Sequence, residues 1–490
     1  MGTLEGLYKP ALGLLTDLYE LTMAYGYWKA GVWEREAAFH LFFRENPFQG
    51  GFAIAAGLAN ITDYIENLRF DAADIDYLAT LRGNNNEPLF EPEFLEFLHA
   101  MPFQCDVDAI AEGTVVFPHE PLVRIQGPLI QGQIVETALL NMMNFQTLIA
   151  TKAARVVMAA AGDPVLEFGL RRAQGVDGGL SASRAAYVGG CAATSNVLAG
   201  RLYGIPVKGT HAHSWVMCFD DELDAFRTYA DAMPNNCVFL VDTYDTLEGV
   251  RKAVQVGREL RERGHEMAGI RLDSGDLAYL SIEARKILDE AGFEKAAIVA
   301  SNDLDEHILT SLKDQGATIG IWGVGTRLAT AYDQPALGGV YKLSAVRRPG
   351  EPWQYKLKLS EQAIKVSNPG ILQVRRYLND GEAIGDVIYD VQHPIDGDCT
   401  MVDPFDATRR KNFSAGTESA DLLVPIFREG KRVYDVPPLG KSRDRAKRQL
   451  AAFHGGVKRF VNPHQYPVGL EKGLHDRKTK LILQARGGQA

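Results

Sequence analysis

Residues 268–276 read AGIRLDSGD, and the way this stretch breaks decides the fold. Ile270 and Leu272 flank Arg271 in an apolar run. At Asp273 the run gives way to a polar turn through Gly275, and a helical segment follows. The same figure recurs on both sides. VLEFG ends at Phe168–Gly169, IPVKGT at Thr210, VFLVDT at Asp242–Thr243, AIVASND at Asn302 and GIWGVGT at Gly325. Successive ends lie roughly 25 to 40 residues apart, the length of a βα repeat. Such alternation predicts parallel strands with helices outside. At least six units predict an α/β barrel rather than an open sheet, and barrel chemistry gathers at the C-terminal strand ends. The polar residues of this chain gather there too.

Composition bounds the rest. The chain has 490 residues, 46% hydrophobic and 23% charged, the balance of soluble globular proteins. That length implies several domains rather than one core. A formal net charge of −10 argues against general nucleic-acid binding, which wants a basic field. Anionic ligands must then be gripped by local Arg, Lys and backbone N–H groups. The five cysteines, Cys105, Cys191, Cys218, Cys237 and Cys399, form no CxxC pair and are odd in number, so neither a disulfide framework nor a zinc ribbon is expected. MGTLEGLYKPALG at the N-terminus has no basic stretch followed by an apolar run, so no signal peptide is expected. No window holds roughly 18 uninterrupted apolar residues, so no membrane span is expected either. A cytoplasmic location follows by default.

Outward from the repeats, residues 14–28, LLTDLYELTMAYGYW, place Leu14, Leu18, Leu21, Tyr25 and Trp28 on one helical stripe. Thr16 or Asp17 is expected to cap this helix or to lie in its first turn, and Tyr19 lies about 100° off the stripe, free to face something other than its own core. The stretch to about residue 135 mixes strand-like pieces with short helices, and 134–161 reads as one or two long buried helices. Beyond 350 the rhythm stops. The expected division is an α+β domain over 1–135, a catalytic barrel over 136–349, and a segment over 350–490 that packs with the N-terminal domain. The basic clusters Arg409–Lys411 and Lys441–Lys447 read as solvated surface.

Each strand end admits a chemical and a structural reading. GVGT, Gly323–Thr326, is a glycine-rich turn opening a helix. Its Gly323 and Gly325 amides and the Thr326 hydroxyl suit a phosphate; the alternative is an ordinary tight turn. In RLDSGD, Arg271 and Asp273 point the same way. Arg271 offers a fork for a carboxylate or phosphate, and Asp273 can accept ribose hydroxyls or reach a magnesium shell; the alternative is an internal ion pair. In EFGLRR, Phe168 can stack on a flat ring and Arg171 or Arg172 can bind diphosphate, against core packing and a solvated helix start. In KGTHAHSW, His211 and His213 share a side if extended, and histidine is the best nucleophile or acid–base group here. No further ligands stand at zinc spacing. In FLVDTYDT, Asp242 and Asp245 remain open as ribose or magnesium contacts.

Taken in order, LLTDLYELTMAYGYW, FHLFFR, EFGLRRAQG, KGTHAHSW, RLDSGDL, SNDLDE, GVGTRLAT, LGGVYKL and KVSNPG resemble the nicotinate phosphoribosyltransferase family across nearly the whole chain. The resemblance implies an irregular TIM-like phosphoribosyltransferase barrel, an α+β domain built from both chain ends, and a head-to-tail homodimer. It implies that Tyr19 reaches a neighbouring subunit's site and stacks on the pyridine ring, with Phe168 on the other face. Thr210 and Arg271 match nicotinate contacts, Thr326 a contact to 5-phosphoribosyl 1-diphosphate, and Arg171 a diphosphate contact. Asp273, Ser301, Asn302, Gly323 and Gly325 fall in the matched substrate-binding motifs. His213 matches the histidine that ATP phosphorylates, and His211 has no such role. ATP is then a co-substrate and Mg2+ a cofactor, its ligands unassigned. Competing readings are nicotinamide phosphoribosyltransferase, in which an aspartate stands where this chain has Thr210; a sugar-phosphate barrel lyase or isomerase, for which Lys208 is the only visible Schiff-base lysine; and an inert scaffold.

Overall fold

The structure is a computed structural model that describes residues 11–487. Residues 1–10, which hold most of the stretch from which no signal peptide is expected, lie outside the described residues. The chain forms two compact units, one of residues 148–335 and 439–444 and the other of the remainder. The boundary near 147 falls within the helix Glu136–Ala159.

In the 148–335 unit six short strands make one sheet: β1 (Val165–Glu167), β2 (Ala193–Thr194), β3 (Val238–Leu240), β4 (Gly269–Leu272), β5 (Ala297–Ala300) and β6 (Ile321–Val324). Their order is β2-β1-β6-β5-β4-β3, and every neighbouring pair is parallel. Short, nearly continuous apolar runs such as AIVA and IWGV are what strands covered on both faces require.

One strand differs from expectation. IPVKGT makes only a single bridge, Val207 to Thr194, because Pro206 has no N–H for a ladder; the Pro206 carbonyl instead accepts from the Thr194 amide at 3.0 Å. The strand beside it, Ala193–Thr194, is two residues long and leaves no apolar run to read. Residues 205–212 then reach the opposite edge of the sheet, where His211 Nε2 accepts from the Leu240 amide at 3.2 Å. This one segment touches both edge strands.

The helices after the strands start on built caps. Asn196, Asp245, Asp276 and Asp305 each accept a backbone N–H in the first turn of the helix that follows, satisfying donors the helix cannot pair itself. Asp245, left open as a ribose or magnesium contact, is thus a cap, accepting from the Glu248 amide at 2.9 Å.

The other unit holds two large mixed or antiparallel sheets and a two-stranded one, Ala53–Ile54 with Val115–Val116. A seven-stranded sheet joins 36–43, 106–110 and 123–128 to 339–347, 354–355, 423–428 and 431–432, and a six-stranded sheet is drawn wholly from 372–471. Its helix Leu18–Lys29 buries Leu21 and Ala24 against Phe90 and Phe94, with Tyr25 and Trp28 packed alongside. One expectation fails here. Leu18 is 52% exposed and stands outside this cluster. Asp17 holds the N-cap position, though its side chain makes no cap hydrogen bond. The fully buried Glu20 carboxylate draws the Thr16 hydroxyl and the Thr137 amide and hydroxyl instead, and Thr137 also donates to Asp17 at 2.8 Å. Tyr19 is 45% exposed. Burial together with the Glu136 and Glu20 carboxylates raises its phenol above the ordinary range.

Candidate active site

The C-terminal ends of β1, β3, β4 and β5 bring their polar residues together. At the centre is Arg271, with 14% of its side chain exposed. Its Nε donates to Ser301 Oγ at 2.8 Å, Nη1 to Thr210 Oγ1 at 3.0 Å and Nη2 to Asp273 Oδ1 at 2.9 Å. A guanidinium has five N–H donors, so one on each terminal nitrogen remains for a ligand. The Arg271–Asp273 ion pair anticipated as the structural alternative is present. It fixes the fork while leaving those donors free.

Beside it is a cavity of about 270 Å³ lined by Phe168, Arg171, Ser195, Thr210, His211 and Arg271, among others. Two guanidinium groups face it, and none of its lining side chains is acidic. The Arg271 guanidinium carbon lies 5.6 Å from the centroid of the Phe168 ring. That ring keeps its position because residue 323 is glycine: a Cβ there would sit 2.8 Å from two ring carbons. The turn after Phe168 is held by Glu167, which is 1% exposed. Its carboxylate accepts from the Gly169 amide, from Ser183 Oγ at 2.8 Å and from Thr194 Oγ1 at 2.6 Å. Arg171 stands exposed on the rim, in the short turn Leu170–Arg172.

The two histidines do not share a side, because the chain turns into the helix His213–Met217 between them. His211 is 8% exposed; burial lowers its pKa from the ordinary 6.5 to about 4, so it is a neutral acceptor for Leu240. His213 opens the helix with 37% of its side chain exposed. Its Nδ1 lies 3.1 Å from Thr243 Oγ1, and its Nε2 lies 3.9 Å from Asp242 Oδ1 and 3.8 Å from Asp273 Oδ2. Asp242 Oδ2 accepts from the Asp273 amide at 2.8 Å and from Ser274 Oγ at 2.7 Å. Its Oδ1 is buried without a hydrogen-bond partner among the described residues. Asp242 was open as a ribose or magnesium contact, an acid ending an apolar strand. Thr243, Ser195 and Glu167 had no assigned place in the site and left no sequence signal of their own.

Ser301 is buried, accepts from Arg271 and donates to Asp273. Asn302 follows with φ +101, a conformation costly for a side-chain-bearing residue and typical of functional strand ends. Gly325 precedes the one-turn helix Thr326–Ala329 and lies against the Phe168 carbonyl, 3.1 Å from where its Cβ would be. The Gly323–Thr326 turn therefore packs on Phe168 rather than lining the 270 Å³ cavity. Lys208 is exposed and does not line it either. Among the described residues no three His, Cys, Asp or Glu side chains gather into a metal site, and no helix is long and apolar enough to cross a membrane.

Comparison with known proteins bears on this arrangement. Three family models match: the nicotinate phosphoribosyltransferase N-terminal domain over 14–144, the nicotinate phosphoribosyltransferase family over 165–353, and the nicotinate phosphoribosyltransferase C-terminal domain over 373–478. The chain is 43% identical to a nicotinate phosphoribosyltransferase of Bacillus subtilis (strain 168), over 98% of this chain and 97% of that protein. It is 38% identical to one of Caenorhabditis elegans, over 96% and 93%. The crystal structure of human nicotinic acid phosphoribosyltransferase superposes with a TM-score of 0.83 at 33% identity, covering 95% of this chain and 99% of that one. A nicotinate-nucleotide pyrophosphorylase from Pyrococcus furiosus, TM-score 0.69 and 21% identity over 90% and 95%, shares the fold. With relatives this similar over this much of its length, the chain belongs to the nicotinate phosphoribosyltransferase family.

Proposed function

We propose that the protein joins nicotinate, through its ring nitrogen, to C1 of 5-phosphoribosyl 1-diphosphate, releasing diphosphate and nicotinate mononucleotide, the entry of nicotinate into NAD synthesis. The observation that carries this reading is a ring-sized cavity walled by Phe168, with Arg271 and Arg171 and no acid on its lining. An anionic ring matches it. Nicotinamide, which is neutral, would leave the free Arg271 donors without a countercharge, and a Schiff-base lyase lacks its lysine.

In this reading Arg271 and Thr210 hold the carboxylate, and Phe168 supports one ring face. The Gly323 and Gly325 backbone and Thr326 take the sugar phosphate, and Asp273, Ser301 and Asn302 take the ribose. Arg171 neutralises diphosphate as it leaves. The transition state has oxocarbenium character by analogy with glycoside cleavage, so alignment and charge compensation do the chemistry. Tyr19, exposed on its helix, is proposed to cover the other ring face in a homodimer; the exposed Val197, Leu198 and Leu202 offer an apolar patch for such an interface.

ATP is the proposed co-substrate. If Nδ1–H donates to Thr243, the Nε2 lone pair of His213 is free to take the γ-phosphoryl group, ADP leaving, and hydrolysis restores the imidazole. The orphaned Asp242 Oδ1 and the nearby Asp273 Oδ2 would repel an incoming phosphoryl unless a cation intervenes. Two carboxylate oxygens beside a phosphate are the donor set Mg2+ accepts, and these residues would hold it. When bound, it would supply charge neutralisation to the phosphates.

The finer architecture is proposed on the same footing: residues 205–212 close the parallel sheet into an irregular TIM-like barrel, and segments from both chain ends form the α+β domain. Five free cysteines, four of them buried, suit a reducing cytoplasm. The direct test is chromatography of the products formed from labelled nicotinate and 5-phosphoribosyl 1-diphosphate. Labelled mononucleotide is expected, with more when ATP is present; an unchanged nicotinate peak contradicts the proposal.

A further inference from the structure

A second cavity lies in the unit built from both chain ends. It encloses about 640 Å³, the size of a small-molecule site. Its charged lining is four basic residues, Arg44, Arg409, Arg410 and Lys411, against two acids, Glu45 and Asp403. Asp403 is engaged with Arg409 at 3.6 Å and Lys411 with the Ile384 carbonyl at 2.6 Å. Arg410 spends only its Nε, on the Ala407 carbonyl at 3.0 Å, so its terminal nitrogens remain for a ligand. Two further lining residues carry buried polar atoms, Arg44 Nε and Asn46 Oδ1, without a hydrogen-bond partner among the described residues. Buried polar groups are nearly always paired, so the lining is short of polar partners here.

The wall is also aromatic and strained. Phe405 is 50% exposed, its ring 5.1 Å from that of His119 in an edge arrangement. Ile388 and Met401 supply apolar floor. Gln49 (φ 49) and His119 (φ 69), both lining residues, and Phe48 (φ 58) beside them hold left-handed backbone without being glycine. Such conformations persist where the surroundings enforce them and concentrate at ligand clamps. Burial, with Lys478 and Arg44 nearby, lowers the His119 pKa to about 4, so its ring is a neutral partner rather than another cation.

We propose that this cavity is a second small-molecule site that takes a nucleoside 5′-phosphate, its base against Phe405 and His119 and its phosphate on Arg410 and Arg44. A bare phosphate would leave the aromatic and apolar wall unused, and an uncharged ring would leave the guanidinium groups open. The site stands on its own observations and does not depend on the reaction proposed above.

The test is isothermal titration of AMP, adenosine and inorganic phosphate into the full chain, alongside Phe405→Ala, Arg410→Ala and, as control, Arg271→Ala. Phe405 and Arg410 are exposed, so both variants should keep the wild-type Tm. AMP should bind wild type more tightly than either fragment. Each cavity substitution should weaken AMP about tenfold or more, and Arg271→Ala should leave it unchanged. Absence of AMP binding, equal binding by the cavity variants, or loss of binding in Arg271→Ala overturns the proposal.

Discussion

Arg271 Nη1 donates to Thr210 Oγ1 across 3.0 Å, tying a residue of β4 to the segment that joins the two edges of the parallel sheet. The contact orients the guanidinium and supplies the pocket with a hydroxyl beside it. Arg271→Ala is expected to remove the group that grips a carboxylate. A hydrogen bond to a charged group contributes about 1.5–3 kcal/mol, so kcat/KM for nicotinate should fall roughly ten- to a hundredfold, mostly through KM. Arg271→Lys should recover only part, because an ammonium cannot reproduce the fork. Steady-state kinetics of both variants checks this.

His213→Asn is expected to abolish ATP stimulation while leaving ATP-independent turnover. Incubation with γ-labelled ATP should give acid-labile phosphate on wild type and none on the variant. Asp242→Asn should reduce labelling at unchanged KM for nicotinate, since Asp242 faces Nε2 of His213 and not the ring cavity.

Gly323→Ala would place a methyl 2.8 Å from the Phe168 ring. Overpacking of this kind costs about 1–3 kcal/mol. The Tm should drop, and KM for nicotinate should rise severalfold as the ring shifts. Pairing it with Phe168→Leu should restore stability but not affinity, a combination readable by thermal melts and kinetics together.

Acid should destabilise the fold through buried neutral histidines. His211 and His119 both have pKa values lowered from 6.5 to about 4, first by burial, and His40 is lowered likewise. Below 6.5 the unfolded chain takes up protons that the folded chain refuses, so stability is full above about pH 6.5 and is lost as pH falls toward 4. Urea midpoints should decline through that window. His119→Gln, which cannot titrate, should flatten the slope.

Much of this was legible in the chain because strand ends announce themselves. RLDSGD, EFGLRR and GVGT each end a buried run in polar or glycine residues, and Arg271, Phe168 and Gly323 do converge. The same pattern does not separate the acid that ends a strand from the acid that caps the next helix. Asp242 and Asp245 look alike in VDTYDT, yet one faces His213 and the other accepts the Glu248 amide. Ser195 and Glu167 were unreadable because their roles arise from neighbours across the sheet. His211 was misplaced beside His213 because the helix begins between them. The 640 Å³ cavity had no signal either: Arg44 and Arg410 are hundreds of residues apart, and Arg409–Lys411 alone reads as solvated surface.

Selection of an anionic pyridine by the pocket at Arg271 is read by the ratio of kcat/KM for nicotinate to that for nicotinamide, with 5-phosphoribosyl 1-diphosphate saturating. A site built to pair a charged group rejects an analogue lacking it by large factors. A preference for nicotinate of at least about a hundredfold is expected, collapsing in Arg271→Ala. Equal use of the two substrates, or preference for nicotinamide, contradicts it.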